Sequence, residues 1–506
     1  MPLRNLAWLL VVPGFVLLGL AICYSAPAPD RDYKLLRQVV DVLAEIDANY
    51  VKELNDEDRE KLIEAMINGG LKKLDDHSEY LTAEKRKQFE TDAEGRIFSG
   101  GGVGITLATD PQTKLLKIDH PMPGTPAYDA GVVANDLIVR VGDTPTDNMT
   151  TADAAKLIKG PVGTPVTLTI RRAGRTPTDQ DVTLTRAAIE AHPVVGVRRR
   201  ADDPLHWEWF ADPANKIALV RIRTFSELTC GTKDKPGELQ RAVEEIKAAG
   251  GRAIILDLRE NPGGLLNQAA AVVDLFIPEG KIVSTRDRRG SERTFNAKKK
   301  AFDLSTEEGR QKERQSPTFL PLPGDPRPMA VLVNKGSASA SEIVAAALQD
   351  HGRAVVIGDR TYGKGSVQKL FNLSDGAAVK LTTETYWRPS GKNIDRPRAP
   401  KDNPDEWGVR PNPGLEVPTT EDERLRYALE VERSDWAAGR PDVVGPSPPA
   451  PGPLVVPLGP DNKPLIDVSK PYEDRPLARA VEYLTKQLSG TGQADPILVL
   501  PGRVDA

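Results

Sequence analysis

Three serines alternate with alanine in the run NKGSASASEIVAAALQD (334–350): Ser337, Ser339 and Ser341. Downstream, GDRTYGKGSVQ (358–368) carries Lys364 between two glycines and Gln368 four residues later. A serine hydroxyl is a weak nucleophile and needs a base to take its proton. The chain has five histidines, scattered at 77, 120, 192, 206 and 351. His351 ends the helix that begins near Ser341, about ten residues and about 15 Å away at the α-helical rise, so a Ser-His pairing there fits badly. A lysine amine can replace histidine if burial lowers its pKa from about 10.4 toward the working pH. The chemistry on offer is therefore acyl transfer by a serine with a lysine base. Composition does not choose among the three serines, and any of them suits the cap of the following helix. Gly-Lys-Gly also occurs in phosphate loops, but no Ser or Thr follows Lys364, and a lone Gly-Lys-Gly is more often a surface turn.

These residues need a framework, and the surrounding runs supply one. IALVRI (217–222), AIILDL (253–258), MAVLVN (329–334) and AVVIGD (354–359) read as strands, apolar enough for a sheet covered on both faces. GELQRAVEEIKAAG (237–250), AAAVVDLFI (269–277) and SEIVAAALQDHG (341–352) read as helices between them, and AAVKLTTETYWR (377–388) as a further strand. The alternation is that of an α/β core. DLRENPGG (257–264) takes one strand into an Asn-Pro-Gly-Gly turn. The charged stretch 291–319 interrupts the pattern and is expected to be a surface loop with helical turns; Lys298–Lys300 within it reads as a solvated face.

Before the core, residues 31–94 show helical spacing at Leu35, Leu36, Val39, Val40, Leu43 and Ile46, then at Leu62, Ile63, Met66 and Ile67, with Gly69-Gly70 expected to break or bend the second helix. Thr82, three residues before Lys85, marks a helix start, and Ser341 is the expected cap of the helix after the serine run. FSGGGVGITL (98–107) is a glycine-rich loop entering a strand, whose N–H groups could face an anion. At the far end, 441–470 is a Pro-rich run without periodicity, expected to be an extended linker, and 473–488 is a helix.

In their order, these segments resemble the C-terminal processing peptidases, the Ser/Lys endoproteases of the tail-specific S41 family. The pattern Ala340-Ser341-Glu342-Ile343 after the serine, and the 25 positions between it and the lysine, match the family with Ser339 as nucleophile and Lys364 as base. The resemblance implies that Gln368 orients the lysine amine and that the N–H groups of Gly263 and Ala340 form an oxyanion hole, with Arg259 and Asn261 bracing the turn. It gives LDDHSEYL (74–81) as the family's Asp-Pro-His-Ser region, with Asp76 in place of the proline and His77 as a local turn or packing residue. PMPGTPAYDAGVVANDLIVRVGD (121–143), TADAAKLIKG (151–160) and a closing strand TPVTLTIRR (164–172) resemble a PDZ domain. Such domains capture free C-termini by strand addition, which implies a groove lined by Gly102, Val103, Gly104 and Ile105.

The expected architecture is multidomain α/β. It comprises a signal peptide or membrane anchor (1–29), a helical N-terminal region (30–96), a β-rich PDZ domain with two helices (97–188), a serine-protease core of the tail-specific type (189–425), a Pro-rich linker (426–471) and a C-terminal helix and tail (472–506). Arg4 before the uncharged run 6–23 favours an anchor with the remainder outside the cytoplasm, in the cell envelope. The 68 Lys+Arg against 72 Asp+Glu, net −4, exclude a dominant basic surface for nucleic acid. The two cysteines, 23 and 230, support neither a disulfide framework nor a zinc-spacing pattern, and the Ser/Lys chemistry that the resemblance implies needs no metal or cofactor. The expected partners are protein substrates with apolar C-terminal tails, with an adaptor or regulatory protein left open. The competing reading is a catalytically inactive PDZ-containing scaffold.

Overall fold

A computed structural model describes residues 31–97, 100–110, 115–172, 178–232, 234–298, 303–322, 325–444, 456, 464–468 and 471–490. The apolar run 6–23 and most of the Pro-rich segment lie outside these residues. Among the described residues no helix is long and apolar enough to cross a membrane. The chain divides into two compact units after Leu74.

The first unit holds α1 (Arg31–Asn49) and α2 (Asp56–Leu71). Asn55 caps α2 by accepting from the Asp58 N–H at 2.8 Å, and three acidic residues in the first turn suit the positive end of the helix. Gly69 and Gly70 do not break this helix. They lie within its last turn, in open space, and it closes when the Lys72 N–H returns to Asn68.

The second unit opens with β1 (Glu79–Leu81) and α3 (Ala83–Ala93). Thr82 caps α3 by accepting from the Lys85 N–H at 3.3 Å. The stretch 30–96 is thus not wholly helical. Next come β2 (Ile105–Thr109), β3 (Leu116–Pro121), α4 (Pro126–Asp129), β4 (Leu137–Val141), α5 (Thr151–Ile158), β5 (Pro165–Arg172) and β6 (Thr178–Thr185). The strands form one antiparallel sheet in the order β2-β3-β4-β5-β6 around Val103, Ile118, Ile138, Leu168 and Ile170. The strand at 164–172 does not close this domain; β6 follows it. Its polar sequence hides an alternation in which Leu184 is buried and Val182 packs on the same core.

The remaining chain runs β7 (Phe210–Asp212), β8 (Ile217–Ile222), α6 (Glu238–Ala248), β9 (Ala253–Asp257) and α7 (Leu266–Asp274). It continues with β10 (Gly280–Asp287), β11 (Glu292–Ala297), α8 (Glu307–Arg314), β12 (Met329–Val333), α9 (Ala340–Asp350) and β13 (Val355–Gly358). It ends with β14 (Ser366–Asn372), β15 (Ala378–Trp387), α10 (Glu421–Ser434) and α11 (Arg475–Leu488). Strands β8, β9, β12 and β13 are parallel and lie side by side, with β7 antiparallel on the outer edge of β8.

The strict alternation of strands explains both covered faces. Ala218, Val220, Ile254, Leu256, Val331 and Val333 pack on one side with Leu239, Val243, Val272, Ile343 and Val344 from α6, α7 and α9. Leu219, Ile255 and Leu332 point the other way, where Ala480 and Leu484 of α11 cover them. Burying such side chains contributes about 1.5–3 kcal/mol each.

A second, antiparallel sheet has the order β1-β15-β10-β11, with β14 also on β15. Part of the stretch 291–319 is therefore a strand, not a loop. The stretch is anchored by Glu313 of α8, fully buried, which accepts from Arg327 at 2.8 Å and Lys247 at 3.3 Å. Its charges read as solvated in sequence because the partners lie far off in the chain. α7 stops at Asp274, short of 277. The boundary expected at 425/426 falls inside α10.

Candidate active site

Strand β12 ends in the middle of the parallel sheet, and a short turn leads into α9 with Ser339 at its cap. Ser339 has φ +56° and ψ −114°, a region non-glycine residues rarely enter, and it is buried. The flanking serines are committed to main chain. Ser337 Oγ donates to the Leu258 carbonyl at 2.8 Å, and Ser341 Oγ to the Asn261 carbonyl at 2.9 Å. Ser341 is thus not the cap; it lies within the helix and ties it to the 257–264 turn. The Ser339 hydroxyl has a different neighbour, the buried Tyr386 hydroxyl at 3.5 Å.

Glu342 holds the strained residue in place. Its carboxylate, fully buried, accepts from the Ser339 N–H at 2.8 Å and the Lys364 N–H at 2.8 Å. It also accepts from the Gly363 N–H at 2.7 Å and the Thr361 hydroxyl at 2.5 Å. One side chain therefore fixes the backbone of both the serine and the lysine. Burial raises its pKa against the pull of these donors. In the sequence Glu342 is only a member of the pattern Ala340-Ser341-Glu342-Ile343, and its place three residues after the serine is the one signal of this role.

The lysine sits on a turn that only glycines permit. Gly363 has φ +89°, and a Cβ there would meet the Trp407 ring at 2.7 Å; at Gly365 it would meet the Asp395 backbone at 2.3 Å. Burial lowers the Lys364 pKa, and Lys380 lowers it further, against Glu342, Asp75 and Glu79. Burial and the Lys364 charge both lower the His77 imidazole pKa. Gln368 lies on β14, its amide nitrogen donating to Ser366 Oγ at 3.0 Å and Thr382 Oγ1 at 3.1 Å. Among the described residues no hydrogen bond joins Lys364 Nζ to Ser339 Oγ or to Gln368. Such contacts commonly tighten only with substrate.

The 257–264 turn packs directly on the serine. Gly263 has φ +110°, and a Cβ there would lie 2.8 Å from Ser339 Cβ and 3.0 Å from the Ala340 nitrogen. The Ala340 N–H, first in its helix, has no acceptor among the described residues, whereas the Gly263 N–H donates to Asn261 Oδ1 at 2.9 Å. Gly263 can serve a substrate oxygen only if that bond opens. Asn261 Nδ2 in turn donates to the Ile222 carbonyl at 2.8 Å. Arg259 pairs with Asp257 at 2.8 Å and with Asp474, the cap of α11, at 2.6 Å.

In the glycine-rich loop the four residues differ. Gly102 pairs both backbone groups with Ala187. Val103 is buried in the domain core. Gly104, at φ +76°, lets Thr125 pack where a Cβ would sit, and Ile105 begins β2. Among the described residues no cluster of three or more His, Cys, Asp or Glu could hold a metal. Cys230 is buried, and burial pushes its thiol far above the ordinary value.

A profile described as peptidase family S41 matches residues 216–405, and one described as a PDZ domain matches 117–172. The carboxy-terminal-processing protease of Bartonella bacilliformis is 38% identical over 365 residues, covering 72% of this chain and 73% of that protein. The carboxyl-terminal-processing protease of Synechocystis sp. is 35% identical over 295 residues, 58% of this chain and 60% of that one. Among solved structures, a photosystem II D1 C-terminal processing protease covers 75% of this chain and 92% of its own at 26% identity, with a TM-score of 0.36.

Proposed function

Since the chain belongs to peptidase family S41, as a carboxy-terminal-processing protease, we propose that it is a serine endopeptidase with Ser339 as nucleophile and Lys364 as base. The observation that carries this is the difference among the three serines. Two hydroxyls are bound to backbone, while the strained third is tied through Glu342 to the lysine turn.

In this reading the neutral Lys364 amine takes the Ser339 proton as the oxygen attacks the scissile carbonyl, then gives it to the leaving amine. Water clears the ester by the same route. Gln368 orients the amine. The Ala340 N–H stabilises the oxyanion, joined by Gly263 once its bond to Asn261 opens. No metal or cofactor takes part. The PDZ domain captures apolar C-terminal tails of protein substrates along Val103, Gly104 and Ile105. The run 6–23 tethers the enzyme so that it acts on exported or membrane-associated proteins, and an activating partner is compatible with the unclosed Ser/Lys pair.

The test uses protein starting near Asp30, an unfolded reporter with a short apolar tail, and the S339A and K364A variants. Cleavage by the parent alone is expected. If all three are inert but the tail still binds, the chain is a peptide-binding scaffold; if the variants cut as the parent does, the site assignment is wrong.

A further inference from the structure

The turn before β1 meets the far side of the site. Its Asp75 Oδ1 accepts from the His77 N–H at 2.7 Å and the Ser78 N–H at 2.8 Å, and Oδ2 accepts from Ser78 Oγ at 2.7 Å. The same Oδ1 accepts the Thr382 hydroxyl at 3.1 Å, and Ser78 Oγ accepts the Thr382 N–H at 3.0 Å. β1 holds the turn there by pairing Glu79, Tyr80 and Leu81 with Lys380, Val379 and Ala378 of β15. Burial works against the Asp75 charge, but the hydrogen bonds prevail and its pKa lies below the ordinary value.

We propose that Asp75 and Thr382 are positioning residues that set which end of the Gln368 amide faces Lys364. A carboxylate accepts only, and a hydroxyl has one proton. With that proton given to Asp75, the Thr382 oxygen can only accept, so it must face the Gln368 NH2. Ser366 Oγ takes the second N–H. Both amide protons are then occupied, and the carbonyl oxygen is the end left to receive an N–H from the lysine amine. Without Asp75, Thr382 is free to donate to the carbonyl end and turn the amide over. A reversed amide would donate to the lysine lone pair that Ser339 needs. The segment before the glycine-rich domain thereby orders the catalytic base although it contributes no reacting atom.

This rests on the Ser339/Lys364 reading, and the experiment separates the two. The full chain is compared with T382V, T382S, D75A and D75N, alongside S339A and K364A. The readouts are kcat and KM on the tailed reporter, the labelling rate of Ser339 by a fluorophosphonate, and the urea midpoint. T382V and D75A are expected to lower kcat and labelling by roughly 10- to 100-fold, the cost of a misplaced group, with KM unchanged; the urea midpoint is expected to stay in T382V, whereas D75A also strips the His77 and Ser78 donors of their acceptor and lowers it. T382S keeps the hydroxyl and D75N keeps a carbonyl acceptor, so both are expected to recover most of the loss. If T382V and D75A match the parent while S339A and K364A are dead, the inference falls and the protease reading stands. It also falls if T382S fails with T382V, or if the urea midpoint of T382V drops with its kcat, since that marks a structural role. If S339A or K364A cuts as the parent does, or the parent neither cuts nor labels, both fall together.

Discussion

A lysine serves as base only when its surroundings make the ammonium costly, and at Lys364 two contributions do so: burial and the positive charge of Lys380. Glu342, Asp75 and Glu79 oppose them. The balance is testable because Lys380 is removable. Its ammonium disfavours a second charge nearby, and it also pairs with Glu79, neutralising a carboxylate that would stabilise the Lys364 ammonium. In K380M both changes raise the Lys364 pKa. The limb of the kcat/KM profile that rises as the base loses its proton should move to higher pH, and activity near neutral pH should fall. A limb that stays in place, or moves down, would remove Lys364 from the role of base.

Between elements, the site depends on one buried carboxylate that joins the start of α9 to the 361–364 turn. Glu342 → Ala leaves the Ser339, Gly363 and Lys364 N–H groups and the Thr361 hydroxyl without that acceptor. Unsatisfied buried donors cost about 1–3 kcal/mol each. E342A should therefore lower the unfolding free energy in urea by about 3 kcal/mol or more and abolish reporter cleavage. An E342A protein with parental stability would show that the four donors find other partners. The 257–264 turn is fixed in a related way, since Arg259 reaches Asp257 at the end of β9 and Asp474 at the cap of α11. The C-terminal helix thus reaches the turn beside the serine as well as covering the sheet.

At the scale of the whole molecule, the PDZ domain leaves and rejoins the chain at neighbouring points: the Ile97 N–H donates to the Ile189 carbonyl at 2.9 Å. The domain also meets the segment after α10, where the Ala134 N–H donates to the Ala438 carbonyl at 2.7 Å and Arg440 to the Asp129 carbonyl at 2.9 Å. Removing 97–188 and closing the gap with a short linker should be tolerated by the rest of the fold. If the domain captures tails, that variant should lose its preference for a tailed over an untailed reporter, seen as a rise in KM. Tail-dependent cleavage that persists without the domain would assign recognition elsewhere.

Much of this was legible in the chain alone. Period and apolar runs located the parallel strands β8, β9, β12 and β13 and the helices between them, because a sheet buried on both faces demands apolar residues at nearly every position, the charged exceptions Arg221 and Asp257 being paired with each other. The order of NPGG, SASAS and GKG pointed to one family, and within it to Ser339 and Lys364. What tertiary structure decided were relations between residues far apart in sequence. Strand β11 hid in a charged run because its antiparallel pairing with β10 exists only after folding, as do the bonds of Glu313 in α8 to Lys247 and Arg327. The commitment of Ser337 and Ser341 to the 257–264 turn and the bond from Thr382 to Asp75 link segments some 80 to 307 positions apart. Local pattern carries the period of an element and the identity of its side chains. It does not carry the partner of a hydrogen bond, and here the partners set Ser337 and Ser341, bound to main chain, apart from Ser339, and put the Gln368 amide nitrogen on Ser366 and Thr382.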